Sequence, residues 1–373
     1  MLLRRNPLFS SGVIGYVRVV LKRVAVPLVV AIVLASCGGD RDEAAERTTT
    51  ASPEPTKVES ADVGEGEEWI AFHGVSLGFT LIRPDGMGNH VILDKLPGDQ
   101  LHPDWSPDGS QLAFVQATDD ATWDIWISDP RGANPEPLLA DYPAKLKGLI
   151  WDNPAWSRDG SQIAMIGYKG NPNLGLPTRS VLAIVDVATD EVSVAFNFAL
   201  DDPVPGLSFP RWSPDGDAMV LTVGRFDKNR EFTGEAIAVT TLKGDTWSTP
   251  DVITPFDDFA TRPDWHPTED LIVFGTYDVG YLQSTDEPSN LFTVRPDGRR
   301  LTPVTDFGPG EERASQPTWT SDGRIIFTHI SGTGDRQLSI AFINRDGSGL
   351  KRVAGPDAVG EGNRPHPRLR PVP

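Results

Sequence analysis

From residue 67 onward, apolar positions do not recur at helical spacing; they come in short runs that alternate with polar residues and are cut by turn strings. Six apolar triplets read as central strands: Ile70-Ala71-Phe72, Leu112-Ala113-Phe114, Ile163-Ala164-Met165, Met219-Val220-Leu221, Ile272-Val273-Phe274 and Ile325-Ile326-Phe327. Five of them follow a Pro-x-Trp string, the first being Pro103-Asp104-Trp105-Ser106-Pro107-Asp108-Gly109, with counterparts at Trp156, Trp212, Trp265 and Trp319. Successive Trp residues of this string lie 51, 56, 53 and 54 positions apart. A second set of turns, from Arg83-Pro84-Asp85-Gly86 to Asn344-Arg345-Asp346-Gly347, leads into outer strands.

A period of this length, with Asp-Gly turns between β-rich runs, predicts an all-β fold: a six-bladed β-propeller of four-stranded antiparallel blades over residues 67–373. The first triplet has no Pro-x-Trp before it. Its partner is expected at the C-terminus, where Asn363-Arg364-Pro365-His366-Pro367 takes the place of a sixth string, with Pro367 where Trp should stand. Pairing of this tail beside the strand that begins near Trp69 closes the ring and leaves few open sheet edges.

The first residues follow a different pattern. Arg18, Lys22 and Arg23 precede the apolar run Val24 to Leu34, which has the length of a signal-peptide core and is short for a membrane span. The run ends in Leu34-Ala35-Ser36-Cys37, similar to the bacterial lipobox, so residues 1–36 are expected to be a lipoprotein signal peptide and Cys37 the lipid-attachment site. Cys37 is the only cysteine, which rules out an internal disulfide. Residues 37–66, rich in charged and small residues, are expected to form a disordered tether, spanning about 30 Å.

The sequence has a net charge of −18, and loss of the leader removes Arg4, Arg5, Arg18, Lys22 and Arg23 without a single acid. Nucleic acid is excluded as a partner for so acidic a surface, and the membrane is expected to be met through the N-terminal lipid alone.

Trp105-Ser106-Pro107-Asp108-Gly109, Trp212-Ser213-Pro214-Asp215-Gly216 and their strand partners resemble the repeats of the TolB family, over roughly Glu67 to Leu369. The resemblance implies a six-bladed propeller of the bacterial envelope whose channel rim docks protein partners. Similar repeats occur in the propeller domains of prolyl oligopeptidase relatives.

Strand alternation puts both kinds of tight turn on one face of the disc, and the variable loops on the other. On that loop face, the residue before each Pro is expected at the channel mouth: His102, Asn153, Phe209, Arg262, Gln316 and Arg364, with Asp152 beside them. A polar ring with two arginines suits a carboxylate, a phosphate or an acidic peptide segment. The long loops Lys169 to Arg179, Gly224 to Gly234 and Tyr277 to Asn290 frame this face and, with Tyr168, Phe226, Tyr277 and Tyr281, enrich it in aromatics. The repeat Trp residues are expected to pack between sheets.

No His-Glu-x-x-His helix or Gly-rich phosphate loop is present in the chain, and no catalytic residue, metal or cofactor is assigned. The expected function is that of a monomeric, lipid-anchored, non-catalytic binding or scaffolding module on the outer face of an envelope membrane, holding an envelope protein or a small anionic ligand at the rim. A solute receptor using the channel, or a propeller hydrolase or lactonase whose site is scattered over blades, are the alternatives.

Overall fold

A computed structural model describes residues 66–73, 78–119, 122–170, 178–199, 206–227, 232–276, 289–308, 312–332, 337–359 and 365–372. The six central triplets each become the second strand of an antiparallel sheet, and the sheets are six blades. The second blade is representative: its innermost strand Asp99–Trp105 pairs with Leu112–Asp119, that strand with Thr122–Ser128, and that with the short outer strand Glu136–Pro137. The fourth blade departs from four strands. Its outer position is divided between Thr246–Trp247 and Asp251–Val252, both paired with the long strand Phe232–Lys243.

Apolar side chains on both faces of each blade bury against its neighbours, and six hydrophobic clusters result, one at each interface. Trp105 packs with Trp69, Phe79 and Leu81 of the first blade, and Trp212 with Ile166 and Leu182 of the third. Trp156, Trp265 and Trp319 do the same at three further interfaces. The repeat Trp residues are packing residues, as expected. The sixth cluster joins the last blade to the first: Ile326, Ile340 and Phe342 meet Ile70, Phe72 and Ile82.

Closure follows the expected route with a different register. Arg368–Leu369 pairs with Ile70–His73, Leu369 opposite Ile70 and Arg368 opposite Ala71. Leu369, not Pro367, therefore holds the Trp place, and it packs against the sixth cluster. Pro367 matches the Pro of the other five strings.

The turns repeat as faithfully as the strands. The hydroxyls of Ser106, Ser157, Ser213 and Thr320 each donate to the Asp two residues on, at 2.5–2.6 Å. His266 replaces the hydroxyl in the fifth blade and accepts the N–H groups of Thr268 and Glu269 through Nδ1. Burial lowers its pKa, consistent with an unprotonated acceptor nitrogen.

Candidate functional site

Proline has no N–H to give to a ladder, so a Pro in the middle of an innermost strand forces the pairing to skip. The register breaks at the same place in five blades: between Leu101 and Asp104, Asp152 and Ala155, Ser208 and Arg211, Thr261 and Asp264, and Ser315 and Thr318. The residue before each Pro takes a left-handed conformation, with φ of 49° at His102, 52° at Asn153, 51° at Phe209, 53° at Arg262 and 57° at Gln316. His366, before Pro367, completes the set at 46°. Each such backbone costs about 1–3 kcal/mol and persists only because the ring around it is rigid.

These side chains meet across the axis. Phe209 of the fourth blade stacks on His366 of the first, directly opposite, with ring centroids 6.1 Å apart. His102 stands edge-on to both, at 5.8 Å and 4.5 Å. The Arg262 guanidinium lies 4.9 Å over the Phe209 ring, and the Gln316 amide sits 3.1 Å from His366 Nε2. The channel is closed by side chains at this level, leaving beside them a recess of only about 10 Å³, lined by Phe209, Arg262, Gln316 and His366 and, further along the strands, by Pro263, Pro317, Thr318 and Arg368.

Asp152 organises one side of the plug. Its Oδ1 accepts the Asn153 N–H at 2.7 Å, the Asn153 amide at 3.1 Å and His102 Nδ1 at 2.5 Å. The carboxylate thus fixes the orientation of the His102 ring through Nδ1 and leaves Nε2 outside this contact. His73, hydrogen-bonded through its N–H to Pro365, lies nearby; burial, then the His102 charge, holds its pKa down to about 3, so it stays neutral.

Of the expected rim, the structure brings together His102, Asp152, Asn153, Phe209, Arg262 and Gln316. The sixth position is His366. Arg364 lies outside the described residues, as do Cys37 and the leader and tether. Among the aromatics expected on this face, Tyr277 and Tyr281 are likewise outside them. Tyr168 is buried and donates its hydroxyl to the Leu207 carbonyl at 2.6 Å, so it is a packing residue rather than a loop residue.

On the turn face lies a second feature that strand-by-strand reading missed. The residue between Pro and Trp is Asp104, Ala155, Arg211, Asp264, Thr318 and, in the corrected register, Arg368. All of these except Ala155 bound a cavity of about 100 Å³, together with repeat Trp residues and Arg158. Arg211 lies 3.9 Å from Asp104 and 3.7 Å from Asp264, and Arg368 lies 3.5 Å from Asp104. Asp104 and Asp264 also accept the backbone N–H of Trp156 and Trp319 at 2.8 and 2.7 Å. Burial raises both carboxyl pKa values, that of Asp264 to about 6, against the pull of neighbouring arginines. A Pro-x-Trp alignment read for its x position would have shown this alternation of charge.

No protein-family model and no curated protein matches the sequence. Solved structures do. The chain superposes on TolB from Acinetobacter baumannii with a TM-score of 0.58 at 16% identity, over 82% of this chain and 67% of that one. Against a putative TolB from Agrobacterium tumefaciens the TM-score is 0.53 at 16% identity, over 83% of this chain and 100% of the other. A puromycin hydrolase, solved as its S511A mutant, gives 0.51 at 18% identity over 79% of this chain; the chain spans 46% of that protein. The fold is that of a TolB-like six-bladed β-propeller.

Proposed function

We propose that this chain is a lipid-anchored, non-catalytic binding module of the bacterial cell envelope that takes a segment of an envelope protein on its loop face. The stacking of Phe209 and His366 across the axis carries the reading, because it turns a channel into a shallow recess. At about 10 Å³ the recess is far below the size of a small-molecule site, so the loop face offers a protein partner a rim surface rather than a pocket. Arg262 over Phe209, beside two imidazoles, suits an acidic or aromatic anchor. Attachment through Cys37 rests on the lipobox-like Leu34-Ala35-Ser36-Cys37; no helix among the described residues is long and apolar enough to cross a membrane.

The test is affinity capture from native membranes with wild type and a Phe209→Ala, Arg262→Glu variant, with melting curves beside them. A partner lost from a variant that remains folded is the expected result. Undiminished capture refutes the loop-face assignment.

One observation favours a second reading, a propeller hydrolase: the His102–Asp152 pair has the carboxylate on Nδ1 and Nε2 outside that contact, the geometry a general base uses. The puromycin hydrolase shares the fold, though over less than half of its own length. Turnover of ester, lactone or aminoacyl-amide substrates that disappears in His102→Ala would establish this reading instead.

A further inference from the structure

The turn-face cavity is bounded by both signs of charge, yet its charged groups stop short of each other. Hydrogen-bonded ion pairs close to about 2.7–2.9 Å, whereas the Arg211 and Arg368 contacts to Asp104 and Asp264 remain at 3.5 to 3.9 Å. Arg211, 8% exposed, has an Nε with no hydrogen-bond partner. The remaining partners of these groups are on the backbone or neutral: Arg211 Nη1 donates to the carbonyls of Pro154 and Pro210, and Arg368 Nη1 to Thr318 Oγ1. Hydrogen-bonding capacity of both kinds is thus held around a void by contacts that fix the side chains in place.

Arg158 adds the accessible part. Its exposed side chain reaches from the turn of the third blade to the Trp265 carbonyl in the fifth, 2.6 Å away, beside Asp264 at the cavity mouth. Three guanidiniums and two carboxylates then face one space whose walls are Trp105, Trp156, Trp212 and Trp319. Beyond the mouth, the carboxyls of Asp108, Asp159 and Asp215 are held ionised, below the ordinary range, by the hydroxyls of Ser106, Ser157 and Ser213. That negative surround disfavours a simple anion, and the inner excess of arginine disfavours a simple cation.

We infer that the turn-face cavity is a binding site for a small zwitterion, a free α-amino acid or a dipeptide. The ligand's carboxylate meets the guanidiniums of Arg158 and Arg368, its ammonium the carboxylates of Asp104 and Asp264, and its side chain the indole walls. The site lies on the turn-face side of the Phe209–His366 plug; it shares Thr318 and Arg368 with the recess described above, while Phe209 does not line it.

The experiment is titration calorimetry of the full-length protein against each common amino acid and glycylglycine, then against the N-acetyl and amide forms of any binder. Saturable binding of at least one zwitterion is expected, weakened about tenfold or more when either charge is capped. Arg158→Ala, on an exposed turn, weakens it about tenfold while the protein stays folded; Asp264→Asn weakens it as well, and Phe209→Ala leaves it intact. The inference is overturned if no zwitterion binds, if capped forms bind equally, or if neither Arg158→Ala nor Asp264→Asn changes the affinity. Loss of partner capture in Phe209→Ala with amino-acid binding unchanged separates the two sites.

Discussion

A stop codon after Gly360 removes the innermost strand of the first blade, and its cost can be worked from the bonds it breaks. The His73 N–H loses the Pro365 carbonyl at 2.8 Å, and the Trp69 carbonyl loses the Arg370 N–H at 2.7 Å. The ladder opposite Ile70 and Ala71 goes with them. Across to the flanking blades, Trp105 Nε1 loses the Arg368 carbonyl at 3.1 Å, Thr318 Oγ1 the Pro367 carbonyl at 3.1 Å, and the Gly109 carbonyl the Arg370 guanidinium at 2.7 Å. At about 1 kcal/mol net for each, the total is on the order of 5 kcal/mol, before counting the apolar contact of Leu369. That is a large part of the stability of a typical domain. Urea and thermal melts followed by circular dichroism should show a fall of roughly 10 °C. Light scattering should show association through the exposed edge of Ile70–His73. A synthetic peptide of residues 361–373 added in trans should recover part of the loss. An unchanged melting temperature in a monomeric truncated chain would refute ring closure by this strand.

Three further outcomes follow from particular contacts. Gly109→Ala should cost about 2 kcal/mol or more, since φ there is 66° and a Cβ would stand 2.3 Å from the Pro371 carbonyl; in the truncated chain the penalty should shrink, which a double-mutant cycle measures. Trp212→Phe should cost about 1 kcal/mol more than Trp156→Phe, because Trp212 Nε1 donates to the Ala155 carbonyl at 3.1 Å while Trp156 Nε1 has no partner; equal melting shifts would sink the argument. Asp264 binds its proton more tightly folded than unfolded, so its stabilising share is complete below about pH 3.8 and is lost as pH rises through 6, amounting to roughly 3 kcal/mol at most. The wild-type stability should therefore decline relative to Asp264→Asn between pH 4 and 7 in paired denaturant titrations, and parallel curves would contradict it.

Much of the loop-face ring was legible because each member is marked locally, by the Pro that follows it. His102, Asn153, Phe209, Arg262 and Gln316 could be found one string at a time. The sixth member could not. Pro365 and Pro367 both offer a candidate, and a shift of two residues keeps every side chain on the same face of a strand, so alternation alone cannot choose between them. Contacts distant in the chain choose: Leu369 against Ile70 within the first blade, and the Trp105 indole of the second against the Arg368 carbonyl. The closed channel was not legible either. It depends on Phe209 and His366 facing each other from opposite blades, 157 positions apart in the chain.

Sequence alone determined the number of blades, the order of their strands, the packing role of the repeat Trp residues and the face on which each kind of connection falls. All of these are repeated and local, so each copy restates the rule. Tertiary structure decided which residue closes the ring, that the loop-face mouth ends in a plug, and that Asp104, Arg211, Asp264 and Arg368 share a cavity. Those facts arise where residues from different blades, far apart in the chain, converge on one axis, and neighbouring positions in the chain carry no record of what stands across it.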